Sequence, residues 1–232
     1  MRTGYEATVL RFVDERFPMA ESVIVAGSTA REERTATSDI DLLLLGGGGF
    51  LGQEADSLAA TFSCEGEPIE VFAYTAEGFE RWARRGVEEA RPVIVRMLIE
   101  GIVLRGGPGL AALQGRWGPI LARGPEASPH TIDLHRYAAT DLLDDLADAR
   151  DPFERRIIAD ALLQRIAAIV LLSDRRWLGT GKHLARALRA WDAARAEQLA
   201  APYLAGDLDA FAAAARIELD VAGGRLQGGF VR

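Results

Sequence analysis

Val25-Ala-Gly-Ser-Thr-Ala-Arg-Glu-Glu-Arg-Thr-Ala-Thr-Ser-Asp-Ile-Asp-Leu-Leu-Leu-Leu45 joins an apolar strand ending in Gly27-Ser28 to a second strand that begins with Asp39-Ile40-Asp41. Side chains alternate faces along a strand, so Asp39 and Asp41 share one side while Ile40 and Leu42 enter the core. Neighbouring carboxylates repel, and each raises the other's affinity for a proton unless a cation lies between them. Hard oxygen ligands select magnesium over zinc. The expectation is therefore a divalent-cation site at the edge of a sheet.

Further along, Ile69-Glu-Val-Phe-Ala73 alternates in the same way, turning Ile69 and Val71 inward and leaving Glu70 on the opposite face. If that strand neighbours the first two, Glu70 is the third ligand. Gly27 lets backbone approach a phosphate, the Ser28 hydroxyl and amide can donate to its oxygens, and Arg31 can neutralise its charge. Ser38, beside Asp39, is placed in the same nucleotide-binding set. Such a kit suits phosphoryl or nucleotidyl transfer, where catalysis is mostly positioning plus charge stabilisation by two metal ions.

Outward from this stretch, the hydrophobic period switches between helix and strand from residue 5 to 105, the mark of a mixed α and β domain. Tyr5, Val9, Phe12 and Val13 form one helical face closed by Pro18. Strands are expected at Ser22–Ala26, Ile40–Leu45, Ile69–Ala73 and Ile102–Leu104, with helices at Gln53–Phe62, Glu77–Arg84 and Glu88–Ile99. Beyond Gly106 Ala, Leu and Arg dominate, predicting helices near Thr131–Ala149, Pro152–Ser173, His183–Ala200 and Leu208–Ala222. The last residues, GGRLQGGFVR, are expected to fray. The fold class is α+β: a mixed sheet with flanking helices, then an all-α bundle.

The chain has 232 residues, 49% hydrophobic and 26% charged, an ordinary soluble composition. It has no apolar run long enough for a membrane span, and MRTGYEATVLRFVDER carries charges where a secretory signal needs an apolar core. A cytoplasmic protein with no membrane partner is expected. The single cysteine, Cys64, offers no internal disulfide. A net charge of −7 argues against nucleic acid as a partner, because such binding relies on cations meeting phosphates.

The order of an apolar strand, Gly27-Ser28, ten intervening residues and Asp39-Ile40-Asp41 resembles the signature of the DNA polymerase beta type nucleotidyltransferase superfamily. Within it, the chain is similar to the small bacterial enzymes that adenylylate antibiotics such as kanamycin and lincosamides, which add a C-terminal helical bundle. The resemblance implies that Asp39 and Asp41 bind the metals, that Glu70 matches the third carboxylate, and that Gly27 and Ser28 match the triphosphate-binding pair. The implied reaction moves a nucleoside monophosphate, AMP from ATP, to a hydroxyl of a small acceptor with two Mg2+ ions and release of pyrophosphate. The implied layout is a nucleotidyltransferase domain over residues 1–108, a connecting helix and linker over 109–129, and an acceptor-binding bundle over 130–232. A homodimer is compatible with this layout.

One helix of the second half adds a chemical signal. Tyr137, Asp141, Asp144 and Asp148 follow a three-four spacing and line one face, with Asp145 beside them. Acids so packed need a cationic neighbour, which a basic acceptor or an arginine-rich partner surface would supply. Asp141, Asp144 and Asp145 are therefore candidates, with the metal-bound carboxylates, for the general base. Lys182, at a helix start, is a candidate for contact with nucleotide or substrate.

Three other patterns carry less. Gly47, Gly49 and Gly52 spell a dinucleotide-binding motif, but the strand before them starts with acids that such a fold does not need. Gly179-Thr-Gly-Lys182 lacks the first glycine of a phosphate loop. Arg176 and His183 match a loose ribonuclease spacing, but two glycines interrupt the segment. A different class of function is a regulatory, antitoxin-like nucleotidyltransferase acting on a protein partner, but such proteins lack a helical half.

Overall fold

The computed structural model describes residues 4–35, 37–52, 55–228 and 230. The chain divides into two compact units, Met1–Arg123 and Gly124–Arg232. The first unit runs α1 (Tyr5–Arg16), β1 (Ala20–Val25), α2 (Gly27–Ala30), β2 (Ile40–Gly46), β3 (Ser57–Cys64), β4 (Glu67–Thr75), α3 (Ala76–Glu88), α4 (Val93–Glu100), β5 (Ile102–Arg105) and α5 (Leu110–Arg123). Its sheet has five strands in the order β3-β4-β2-β1-β5. Only β2 and β4 pair in parallel; the other neighbours are antiparallel.

Both faces of the central strands are covered, which is why β2 reads as an unbroken apolar run after Asp41. Ile40, Leu42 and Leu44 pack with Ile69, Val71 and Ala73 against Val9, Phe12 and Val13 of α1. On the other face Leu43, Leu45 and Tyr74 meet Phe79 and Ala83 of α3, Val95 and Leu98 of α4, and Trp117 of α5. Asp41 and Glu70 point to this second face, at the end of the strand pair where the apolar cover begins.

The helix expected over Gln53–Phe62 is instead strand β3; its first two residues, 53 and 54, lie outside the described set. Leu58, Ala60, Phe62 and Cys64 are half-buried while Ala59, Thr61 and Ser63 are exposed, a period of two. Glu65 and Gly66 both take positive φ, 53° and 85°, and so form the mirror-image turn that matches the twist of a hairpin. The glycines of the dinucleotide-like motif thus lead into a strand and not a helix.

The second unit is all helical: α6 (Pro129–Asp148), α7 (Pro152–Ser173), α8 (Lys182–Trp191), α9 (Ala193–Ala205) and α10 (Leu208–Val221). Its core gathers Leu143 and Leu146 of α6, Leu162, Ile166 and Ile169 of α7, Leu199 of α9, and Phe211 and Leu219 of α10. The single helix expected over His183–Ala200 is two, because Asp192 leaves the helical conformation and caps α9, accepting from Ala194 and Arg195 at 3.0 Å each. Arg195 of α9 pairs with the buried Glu218 of α10, its Nε 3.0 Å from Oε1.

The C-terminal stretch expected to fray is docked where it is described; residues 229, 231 and 232 lie outside that set. Leu226 donates its amide to the Thr140 hydroxyl at 3.1 Å, and Arg136 of α6 donates to the Gly224 carbonyl at 3.0 Å. No helix among the described residues is long and apolar enough to cross a membrane.

Candidate active site

Parallel pairing of β2 with β4 sets Asp41 directly beside Glu70, one step in from the pair Ile40 and Ile69. Asp39 is the residue before β2 begins and returns to the same side. Carboxylate oxygens of all three lie within 4.8 Å of one another, and all three residues are half-buried. Magnesium holds its oxygens at about 2.1 Å, so opposite ligands stand about 4.2 Å apart. The triad therefore fits a hard divalent cation after small side-chain rotations.

Electrostatics point the same way. The Glu70 carboxyl is pushed above the ordinary glutamate range, first by burial, then by the charges of Asp39 and Asp41 and by hydrogen bonding to their carboxylates. Three anions at this spacing hold either a shared proton or a cation.

The turn after β1 lies against this cluster. Ala26 donates its amide to the Asp41 carbonyl at 2.8 Å. Gly27 follows with φ +62°, and a Cβ built on it would fall 1.7 Å from Asp41 Oδ2. Glycine is required here twice over, by its backbone conformation and by the carboxylate that occupies the space of a side chain. Ser28 is half-buried in the single turn of α2, and its carbonyl accepts from the Glu33 amide at 2.9 Å.

Arg31 turns to Glu33, Nε to Oε2 3.2 Å, in an exposed pair. The Ser38 hydroxyl accepts from the Thr35 amide at 2.9 Å and so shapes the loop before Asp39. Two contributors were not singled out from sequence. Buried Thr29 donates to the Asp39 carbonyl at 3.4 Å, and Arg34 donates to the Ser38 carbonyl at 3.2 Å while pairing with Glu67 at 2.5 Å. Glu67 lies 33 residues from Arg34, a separation no local pattern bridges.

In the helical unit, the acidic face of α6 receives its cation from the chain itself. Arg225 pairs with Asp144 at 2.5 Å, and Gln227 donates to the same carboxylate at 3.0 Å. The Arg225 guanidinium holds the Asp144 carboxyl below the ordinary aspartate range. Tyr137 stacks on Phe230 with ring centres 5.5 Å apart, and His130 stacks on the same ring at 5.5 Å. Asp145 is exposed, and Lys182 is exposed at the start of α8.

A groove of about 850 Å³ lies elsewhere on the first unit, between α3 and α5, lined by Glu80, Arg81, Arg84 and Arg116 among others. None of the triad or of Gly27-Ser28 lines it. Arg116 pairs with Glu80 there at 2.6 Å, and the acids that could together hold a metal ion among the described residues, Asp39, Asp41 and Glu70, lie outside it.

Residues 7–95 match the family model of the nucleotidyltransferase domain. The N-terminal unit is accordingly a transferase domain that handles nucleotides. More particularly, it is a nucleotidyltransferase domain of the DNA polymerase beta type superfamily. Among solved structures the chain is similar to the crystal structure of a nucleotidyltransferase-like protein from Exiguobacterium sibiricum 255-15, with TM-score 0.51 and 13% identity over 94% of this chain and 74% of that one. At that identity the likeness is one of fold. No curated protein matches the chain.

Proposed function

We propose that the protein transfers a nucleoside monophosphate, AMP from ATP, to a hydroxyl of a small acceptor and releases pyrophosphate. The observation that carries this reading is the convergence of Asp39, Asp41 and Glu70 within 4.8 Å beside the Gly27-Ser28 turn. These three carboxylates would hold two magnesium ions. Bound there, magnesium supplies charge neutralisation around the transferred phosphoryl group and the leaving pyrophosphate.

The other roles follow from what each group can do. The open backbone at Gly27 and the Ser28 hydroxyl and amide grip the triphosphate. Arg31 reaches a phosphate by giving up an exposed pair with Glu33, an exchange that costs about 0–1 kcal/mol. Ser38 acts on the nucleotide through the loop it shapes. The acceptor's proton passes to a carboxylate of the triad in preference to Asp144, which Arg225 and Gln227 already occupy.

The helical unit is read as the acceptor-binding part, with Tyr137, Asp141 and Asp145 of α6 and Lys182 of α8 as its polar groups. Since Arg225 pairs with Asp144, that carboxylate no longer requires the acceptor to be cationic. A cytoplasmic setting and a partner list without nucleic acid follow from composition and charge. The test is incubation with radiolabelled ATP, magnesium and pooled aminoglycosides, lincosamides and other hydroxylated acceptors, beside Asp41→Asn. Label entering one acceptor with the wild type alone supports the reading; equal labelling by the variant refutes it.

A further inference from the structure

We infer that Arg34 is a positioning residue for the metal-binding carboxylates, tying the loop that delivers Asp39 to the strand that delivers Glu70. This rests on the metal-site reading above and deepens it.

Arg34 lies between α2 and β2. Its terminal nitrogen Nη2 donates to the carbonyl of Ser38, the residue before Asp39, at 3.2 Å. The same nitrogen pairs with Oε2 of Glu67 at 2.5 Å. Glu67 opens β4 three residues before Glu70. One guanidinium thus joins the two segments whose next acids must meet on a cation.

The join matters because the ladder between β2 and β4 starts only at Ile40 and Ile69. Asp39 lies outside it, so strand pairing fixes Asp41 against Glu70 but leaves Asp39 to loop contacts. Those contacts are specific. The Thr29 hydroxyl holds the Asp39 carbonyl, the Thr35 amide holds the Ser38 hydroxyl at 2.9 Å, and Arg34 holds the Ser38 carbonyl.

Glu67 is 45% exposed and Arg34 29%, so their pair adds little to global stability. Its effect falls on the placement of Asp39. A planar guanidinium with five donors can serve two acceptors at once, whereas the ammonium of lysine is a point charge on a flexible stem. Lysine should therefore keep the contact with Glu67 and restore only part of the effect.

The test is Mn2+ titration of the full chain without nucleotide, followed by electron paramagnetic resonance, with thermal unfolding of each variant. Wild type should bind Mn2+ and Asp41→Asn should lose it. Arg34→Ala and Glu67→Gln should each weaken binding about 10-fold, the scale on which partners of metal ligands act. The double variant should be no worse than either single one, Arg34→Lys should fall between, and unfolding temperatures should stay close to wild type. Unchanged Mn2+ affinity in Arg34→Ala and Glu67→Gln, with Asp41→Asn still defective, overturns the role of Arg34 alone. Weakened ATP binding with unchanged Mn2+ affinity also overturns it, since Arg34 would then contact nucleotide directly. No Mn2+ binding by wild type overturns the metal site and this inference together.

Discussion

Asp41 and Glu70 stand side by side across the parallel pair β2 and β4, so backbone pairing, and not side-chain reach, brings two acids from distant parts of the chain to one point. Their mutual repulsion is built into the sheet. Asp41→Asn keeps the shape and removes one of the charges. Transfer should fall on the order of a hundredfold or more, as when other preorganised charge-stabilising groups are removed. Thermal unfolding of the cation-free variant should occur at or above the wild-type temperature, measured beside the labelling assay.

Glu70 binds its proton more tightly when folded, because burial and then the Asp39 and Asp41 charges raise its pKa. In the cation-free protein its stabilising contribution is therefore present below the unfolded pKa and is lost as pH rises through the folded one. Cation binding runs the other way: Mn2+ affinity should fall as pH drops through the raised pKa, above the ordinary glutamate range. Unfolding and Mn2+ titrations at several pH values should show both trends in wild type, and neither this loss of stability nor tight Mn2+ binding in Glu70→Gln.

Gly27→Ala sets a methyl group where the Asp41 carboxylate now lies and forces a left-handed conformation at φ +62°. The conformation alone costs about 1–2 kcal/mol. Urea unfolding should register at least that loss, and Mn2+ binding should fall with it as Asp41 is displaced. Normal Mn2+ affinity in this variant would mean that the turn can move away from the acids.

Asp144→Asn should loosen the tail on α6 without unfolding the bundle, since Arg225 and Asp144 are 37% and 46% exposed. The amide of Leu226, held by Thr140, is the reporter, and its hydrogen exchange should quicken by roughly a few-fold. Leu162→Ala, by contrast, empties a fully buried site in α7 and should cost about 2–5 kcal/mol of unfolding free energy.

Much of this architecture is legible in the primary structure where a physical constraint is local. Asp39-Ile40-Asp41 carries its own alternation, and the apolar runs around it announce covered strands. Ser57–Cys64 is harder, because a short run of small and apolar residues suits helix and strand alike. What sets it as a hairpin is the turn at Glu65-Gly66 that follows it, where both residues take positive φ. Partners of α6 and of Arg34 are another matter: Asp144 meets Arg225 across 81 residues, and Arg34 meets Glu67 across 33. A charged residue declares its need for a counter-charge but not the address of it, so the acidic helix pointed outward to a ligand when its answer lay on the same chain.

The contact between Gly27 and Asp41 also makes two distant letters of the sequence one unit of inheritance. A larger residue at 27 needs a shorter one at 41 to free the volume above the turn, and a turn that leaves the left-handed conformation as well.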